Sequence, residues 1–195
     1  MGLSRDGDAG FDEVIERARG REPQAWADIY ERFADRIFGF FVNQTHSRQT
    51  AEDLTAGVFV EALQAAEKFQ GSVSDLRSWL FRIARNNLID HVRSAKRVKT
   101  EAIEDVAEAD LTRLSAAGDP QDLAMAGLDR GAILAAVEKL SPGQREVVLL
   151  RLTGDLAYAE IGKLIGKTQG AVKVLHHRAM AALANSLELH VSEPS

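Results

Sequence analysis

Apolar residues return at three- and four-residue steps in stretch after stretch of this chain, the period of an amphipathic helix with one buried face. Phe11, Val14, Ile15 and Ala18 predict a short first helix over 11–19. Pro23 stands where the first turn of a helix tolerates it, and Trp26, Ile29, Tyr30, Phe33, Ile37, Phe40 and Phe41 carry a long helix to about Asn43. That helix holds much of the aromatic volume and should anchor the first core. Thr50 with Asp53 reads as a capping pair for a third helix, through Leu54, Val58, Ala62 and Ala66 to about Lys68. A Gly/Ser loop over 69–74 follows. Leu76, Trp79, Leu80, Ile83, Leu88 and Val92 then mark a central helix over 72–97, with Ser72 and Asp75 as its capping pair.

The pattern breaks over 99–127, where Glu101, Glu104, Asp105, Glu108, Asp110, Asp119 and Asp122 crowd a stretch diluted by Ala, Gly and Pro. Such a composition predicts a flexible acidic linker with at most transient helix. Helical spacing resumes over 122–140 through Leu123, Leu128, Ile133, Leu134 and Val137. Ser141, Pro142 and Gln144 combine an N-cap, a first-turn proline and a capping-box glutamine. Val147, Val148, Leu150 and Leu152 run on to Gly154, which suits a left-handed C-cap. Tyr158 to Lys173 then reads as a short helix, a glycine turn and a second helix capped by Thr168, which is a helix-turn-helix. Ile161, Ile165, Val172 and Ala179 form its expected buried seam. Ala157 stands at the first helix's cap without a capping oxygen, which costs about 1 kcal/mol against Ser.

The whole is therefore expected to be all-α: two small helical domains joined by the acidic linker. The chain has 45% hydrophobic and 27% charged residues and no cysteine, which excludes disulfides and thiolate metal sites and suits a reducing cytoplasm. No apolar run is long enough to span a bilayer, so no membrane insertion is expected, and residues 1–10 are polar, without a signal-peptide core. Net charge is −5, so any nucleic-acid surface must be a local basic patch offset by acidic segments.

The central helix supplies such a patch. Arg77, Arg82, Arg85 and Arg93 lie off its apolar stripe, Lys96, Arg97 and Lys99 follow, and Asp90 alone opposes them. A basic helix face is often only solvated. Here Trp79, Phe81, Asn86 and Asn87 are interleaved with the arginines, and cations beside stacking rings and amides suit an unpaired nucleic-acid strand. Trp79 itself falls on the apolar stripe and reads as core. In the helix-turn-helix, whose second helix would enter a major groove, Gln169, Lys173, His177 and Arg178 fall on the outer face. His176 and His177 point to different faces, and no third ligand stands at metal spacing, so no metal site is expected. No nucleophile triad, P-loop or dinucleotide fingerprint occurs, so neither an enzyme nor a cofactor is expected.

Trp79-Leu80-Phe81-Arg82-Ile83-Ala84-Arg85-Asn86, then Asp90 and the basic run to Arg97, resembles the promoter-melting segment of extracytoplasmic-function sigma factors in the sigma-70 family. The resemblance extends in order from about Phe11 to Leu187. Ala51-Glu52-Asp53-Leu54-Thr55 with Val58-Phe59 is similar to the segment that docks on the clamp helices of RNA polymerase, with Ala56 where Gln is common. Arg145-Glu146-Val147, Tyr158, Glu160-Ile161, Gly170, Val172-Lys173 and His177-Arg178-Ala179 match region 4. In the recognition helix, Val174-Leu175-His176 replaces a common Ser-Arg-Leu, and Ala171 a common Thr.

The resemblance implies a disordered tail at 1–10, sigma region 2 over 11–98, a linker over 99–127, region 4 over 128–187 and a tail over 188–195. It implies −10 strand capture by Lys68, Phe69, Arg77, Trp79, Arg82, Arg85, Asn86, Asn87, Arg93 and Arg97, with the loop over 69–74 holding a flipped base. It implies −35 binding by Lys167, Thr168, Gln169, Gly170, Lys173, His177 and Arg178, and polymerase docking by Glu52, Asp53, Leu54 and Phe59. Implied partners are core RNA polymerase, through clamp helices and flap regions, promoter DNA and an anti-sigma factor. The linker is either a passive tether or an acidic mimic of nucleic acid. Two rival readings stay open. One is a stand-alone dimeric helix-turn-helix regulator, which has no need of the central basic helix. The other is an adapter that binds polymerase without directing promoters.

Overall fold

The computed structural model of the chain describes residues 10–101 and 136–191, with side chains at 96, 98–101 and 188–191 not described. Among the described residues there are helices and no strand, and they fall into two units, 10–101 and 136–191. Residues 102–127 of the expected linker, the two tails' outer residues and most of the helix expected over 122–140 lie outside them.

The first unit is built on α2 (Pro23–Thr45), with Pro23 in its first turn. Phe33, Ile37, Phe40 and Phe41 on this helix are buried, and Phe40 meets Phe41 at 5.6 Å and Phe81 edge-on at 5.9 Å. Short α1 (Phe11–Arg19) packs on α2 through an edge-on Phe11–Phe33 pair at 6.2 Å. Trp26 Nε1 donates to the Ala18 carbonyl at 2.9 Å and fixes the bend between them.

α3 (Arg48–Gln64) starts earlier than the sequence reading has it. Ser47, and not Thr50, is the N-cap: the Thr50 N–H donates to Ser47 Oγ at 3.3 Å, and Thr50 sits inside the first turn. The reason lies upstream. His46 adopts a left-handed φ of 52° and ends α2, so Ser47 is already extended when α3 begins. The helix also stops at Gln64, and a 3-10 turn, Ala66–Lys68, completes the stretch expected to be one helix.

α4 (Val73–Glu101) is 29 residues long and passes the expected domain edge at 98. Leu76, Leu80, Ile83 and Ala84 are buried against α2 and α3. Phe81 is buried as well, with no exposed surface, so it is a core residue and no platform for a base.

In the second unit, helical residues 136–138 precede α5 (Pro142–Leu152). Ser141 and Gln144 form the full reciprocal capping box, with the Ser141 N–H donating to Gln144 Oε1 at 3.0 Å. Arg145 Nε donates to the Val137 carbonyl at 3.2 Å, closing the end of the preceding helical turn. α5 ends without the expected left-handed Gly154: the left-handed residue is Asp155, at φ 47°, and Gly154 is buried. Arg151 spans this turn, donating to the Leu156 carbonyl at 2.8 Å and lying 3.8 Å from Asp155. α6 (Tyr158–Ile165) and α7 (Gln169–Val191) complete the unit. Leu140, Val148 and Ala179 pack together with Leu183, and Val147, Leu150, Leu156, Ile161 and Val172 are also buried.

Candidate nucleic-acid interface

The loop before α4 is held from both ends. Asp75 Oδ2 accepts from the Ser72 N–H at 2.9 Å and from its hydroxyl at 2.7 Å, while the Asp75 N–H donates to Ser72 Oγ at 3.4 Å. This is a capping box with Asp in the Glu position. Gly71 has φ 149°, and a Cβ there would lie 2.6 Å from Asp75 Cβ, so only glycine fits the turn. Phe69 stacks on Trp79 at 5.0 Å with planes 27° apart, and the pair seals the loop onto the core. Phe69 is buried and Trp79 half-buried, so the two expected base-binding aromatics already hold each other.

Beyond them, Arg82, Asn86, Arg93 and Arg97 recur at helical spacing on the exposed side of α4, and Lys68 is exposed in the 3-10 turn. Arg77, Arg85 and Asn87 flank this stripe, half-buried, and Arg77 Nη2 donates to Ser74 Oγ at 3.2 Å. Asp90 approaches Arg93 at 3.7 Å, but both are more than 70% exposed, so the pair contributes little and leaves the stripe cationic.

The four residues expected to dock on polymerase are not all brought to one surface. Glu52 and Asp53 are exposed on α3, with Glu52 hydrogen-bonded to Arg48 Nε at 2.8 Å. Leu54 is half-buried. Phe59 is buried against Tyr30 of α2, ring centres 4.7 Å apart. The apolar surface that is exposed nearby belongs to Tyr30, Val60 and Leu63, which the sequence reading passed over. One signal was available: Val60 lies seven residues after Asp53, hence on the polar side of α3 and off the Leu54–Val58–Ala62 stripe.

In the second unit the turn between α6 and α7 is a close contact. Gly166 closes α6 at a left-handed φ of 70°, and the Lys167 N–H returns to the Gly162 carbonyl at 2.9 Å. A Cβ on Gly162 would sit 2.6 Å from the Lys167 carbonyl oxygen. At the start of α6, Ala157 has no capping side chain, and Glu160 Oε2 instead accepts from the Ala157 N–H at 2.6 Å. Thr168 Oγ1 accepts from the Ala171 N–H at 3.2 Å and caps α7. Ile161, Val172 and Ala179 form the buried seam, with Ile165 half-buried beside it. Lys167, Thr168, Gln169, Gly170, Lys173, His177 and Arg178 are all exposed. No carboxylate occurs among residues 169–187 of α7.

The two histidines diverge as adjacent helical residues must. His177 is exposed, and His176 turns inward to Tyr158, with the phenolic oxygen 3.3 Å from Nδ1. Burial, then repulsion from Arg151 and His177, holds the His176 pKa below its ordinary 6.5. Among the described residues no group of three or more His, Asp or Glu side chains could hold a metal.

A capped helix with a cationic stripe in one unit, and a helix-turn-helix with a basic outer face in the other, define a helical DNA-binding protein. Comparison with known proteins gives the family. The family models for Sigma-70 region 2 and for Sigma-70, region 4 match residues 29–98 and 130–183. The chain is 34% identical over 178 residues to the ECF RNA polymerase sigma factor BldN of Streptomyces coelicolor, covering 90% of this chain and 65% of that protein. It is 31% identical over 182 residues to the RNA polymerase sigma factor CarQ of Myxococcus xanthus, covering 91% of this chain and 99% of that one. Among solved structures, it resembles a chain in the complex of the sigma factor RpoE with the anti-sigma factor NepR from Bartonella quintana. The TM-score is 0.68 at 23% identity, over 83% of this chain and 96% of that one, a likeness of fold. The chain belongs to the extracytoplasmic-function sigma factors of the sigma-70 family, which are transcription-initiation factors and not catalysts.

Proposed function

We propose that this chain binds core RNA polymerase, reads the −35 and −10 elements of a promoter, and makes strand opening favourable by holding the unpaired −10 strand. Residues 11–98 act as region 2 and 128–187 as region 4. The exposed carboxylates of Glu52 and Asp53, beside Val60, dock on the clamp helices. Arg82, Asn86, Arg93 and Arg97 line the path of the single strand, with Lys68 and the half-buried Arg77, Arg85 and Asn87 at its margins. The loop behind Phe69 and Trp79 receives a flipped base. Lys167, Thr168, Gln169, Gly170, Lys173, His177 and Arg178 meet duplex DNA, and the flap regions hold region 4 on the enzyme.

The observation that carries this reading is the pair of cation-bearing helix faces, one on α4 and one on α7, each within a matched sigma-70 region. Phosphate contacts from such faces release counterions, so affinity should fall steeply with salt. The partners are core polymerase, promoter DNA and an anti-sigma factor, a class of protein with which the Bartonella relative is complexed. The site of action is the cytoplasm; among the described residues no helix is long and apolar enough to cross a membrane.

Run-off transcription with purified core polymerase and a pool of promoter fragments from the source genome tests the reading. Transcripts that need both proteins support it. Core binding without initiation would leave an adapter, and duplex binding with no core association would leave a stand-alone regulator.

A further inference from the structure

We propose that Val174 reads the C5-methyl group of a thymine in the duplex element met by α7. Val172 and Ala179 are fully buried and fix the inner side of this helix. At 100° per residue, Gly170, Val174 and His177 fall on the opposite, outermost side. Val174 is 50% exposed there. A single exposed apolar residue is ordinary on a protein surface. This one has a particular setting.

It stands on a face whose polar side chains are Gln169, Lys173, His177 and Arg178, with no carboxylate among residues 169–187. A polyanion is the complement of such a face. One turn earlier, Gly170 leaves the helix bare: nothing lies within 4 Å of the place its Cβ would occupy. A base edge can therefore approach the backbone beside Val174 closely. The N-terminal half of a recognition helix is the part that enters the major groove, and Val174 lies in its second turn.

An isopropyl group neither donates nor accepts a hydrogen bond. Of the groups the four base pairs present in the major groove, the thymine methyl is the only apolar one. Against a cytosine amino group or a guanine carbonyl, the same side chain would strip water from a polar edge and return no bond, which disfavours those pairs. Val174 thus selects by apolar contact, while Lys173 and Arg178 hold the phosphates and set the register.

This inference rests on the reading of α7 as a duplex reader, and the experiment separates the two. Promoter duplexes are first selected from a random library with the full chain and core polymerase. Each thymine of the upstream element is then replaced singly by deoxyuridine, which removes only the methyl group. One such replacement should weaken binding of the unmodified protein about fourfold, the effect of one buried methyl, and should have no effect on Val174→Ala. Undiminished sensitivity to that replacement in Val174→Ala, or insensitivity of the unmodified protein at every thymine, would overturn the assignment. Duplex affinity unchanged by Lys173→Ala with Arg178→Ala would sink the wider reading of α7, and the role of Val174 with it.

Discussion

The Tyr158 hydroxyl lies 3.3 Å from Nδ1 of His176, and the two rings meet edge-on at 5.4 Å, so one side-chain pair ties α6 to the recognition helix α7. With the ring proton on Nε2, Nδ1 accepts from the phenol; a doubly protonated ring has no acceptor left. Arg151, 5.5 Å from the Tyr158 ring centre, adds a positive charge from α5.

Burial, then the charges of Arg151 and His177, makes the folded protein favour neutral His176, and its pKa is lowered below the 6.5 of the free side chain. Below 6.5 the unfolded chain binds the proton more readily than the folded one. The stability contributed by keeping this ring neutral is complete above that value and is lost as pH falls through the lowered folded value. Amide exchange of α6 and α7, measured at pH 7.5 and again at mildly acid pH, should show protection falling on acidification. In His176→Leu the part of this fall that comes from the pair should vanish; an unchanged pH dependence would refute the role of the ring.

Gly162→Ala should damage the second unit, because the added methyl meets a backbone oxygen at 2.6 Å and the turn cannot move away cheaply. Overpacking of this kind costs about 1–3 kcal/mol. Gly170→Ala places its methyl in open space within a helix and should be neutral or stabilising by up to about 1 kcal/mol. Thermal unfolding of the two variants, compared side by side, should shift in opposite directions or leave only the first displaced.

Phe81 and Arg82 are sequence neighbours with opposite tasks. Phe81→Ala removes a fully buried ring packed on Phe40 and should cost about 3–5 kcal/mol. Arg82→Ala, at an exposed site, should leave stability within about 0.5 kcal/mol. It should instead reduce the salt dependence of single-stranded promoter binding by about one phosphate contact. Urea titrations and binding measured across a salt series distinguish the two effects.

Asp75→Ala removes the two hydrogen bonds that its carboxylate accepts at the start of α4 and should destabilise the first unit by about 0.5–2 kcal/mol. Ser72→Ala should do less, since the Asp75 carboxylate keeps its bond to the Ser72 N–H. Equal losses in chemical denaturation would contradict the arrangement.

Helix periods were legible in the sequence because each helix buries one face, and the sigma resemblance was legible because its motifs fall in order on those helices. Sequence and structure part where two local arrangements differ by one contact. Ser47 and Thr50 are both capping residues three apart, and only the left-handed His46 decides between them. Phe81 lies off the stripe counted through Leu76, Leu80 and Ile83, yet α2 and α3 cover a wider arc of α4 than one stripe and enclose it. Gly154 invites a left-handed assignment, but its burial and the Arg151 bridge pass that conformation to Asp155. Tyr30 could not be seen as exposed, because an apolar residue within a helix's apolar stripe reads as core until the neighbours that would cover it are known.

Before any strand arrives, the loop leading into α4 is already shaped by Gly71, the Ser72–Asp75 cap and the Phe69–Trp79 stack. A receptor surface ordered in advance needs no slow rearrangement after encounter. Changes to the contacts it makes should then appear in how long a complex lives, and hardly at all in how fast it forms.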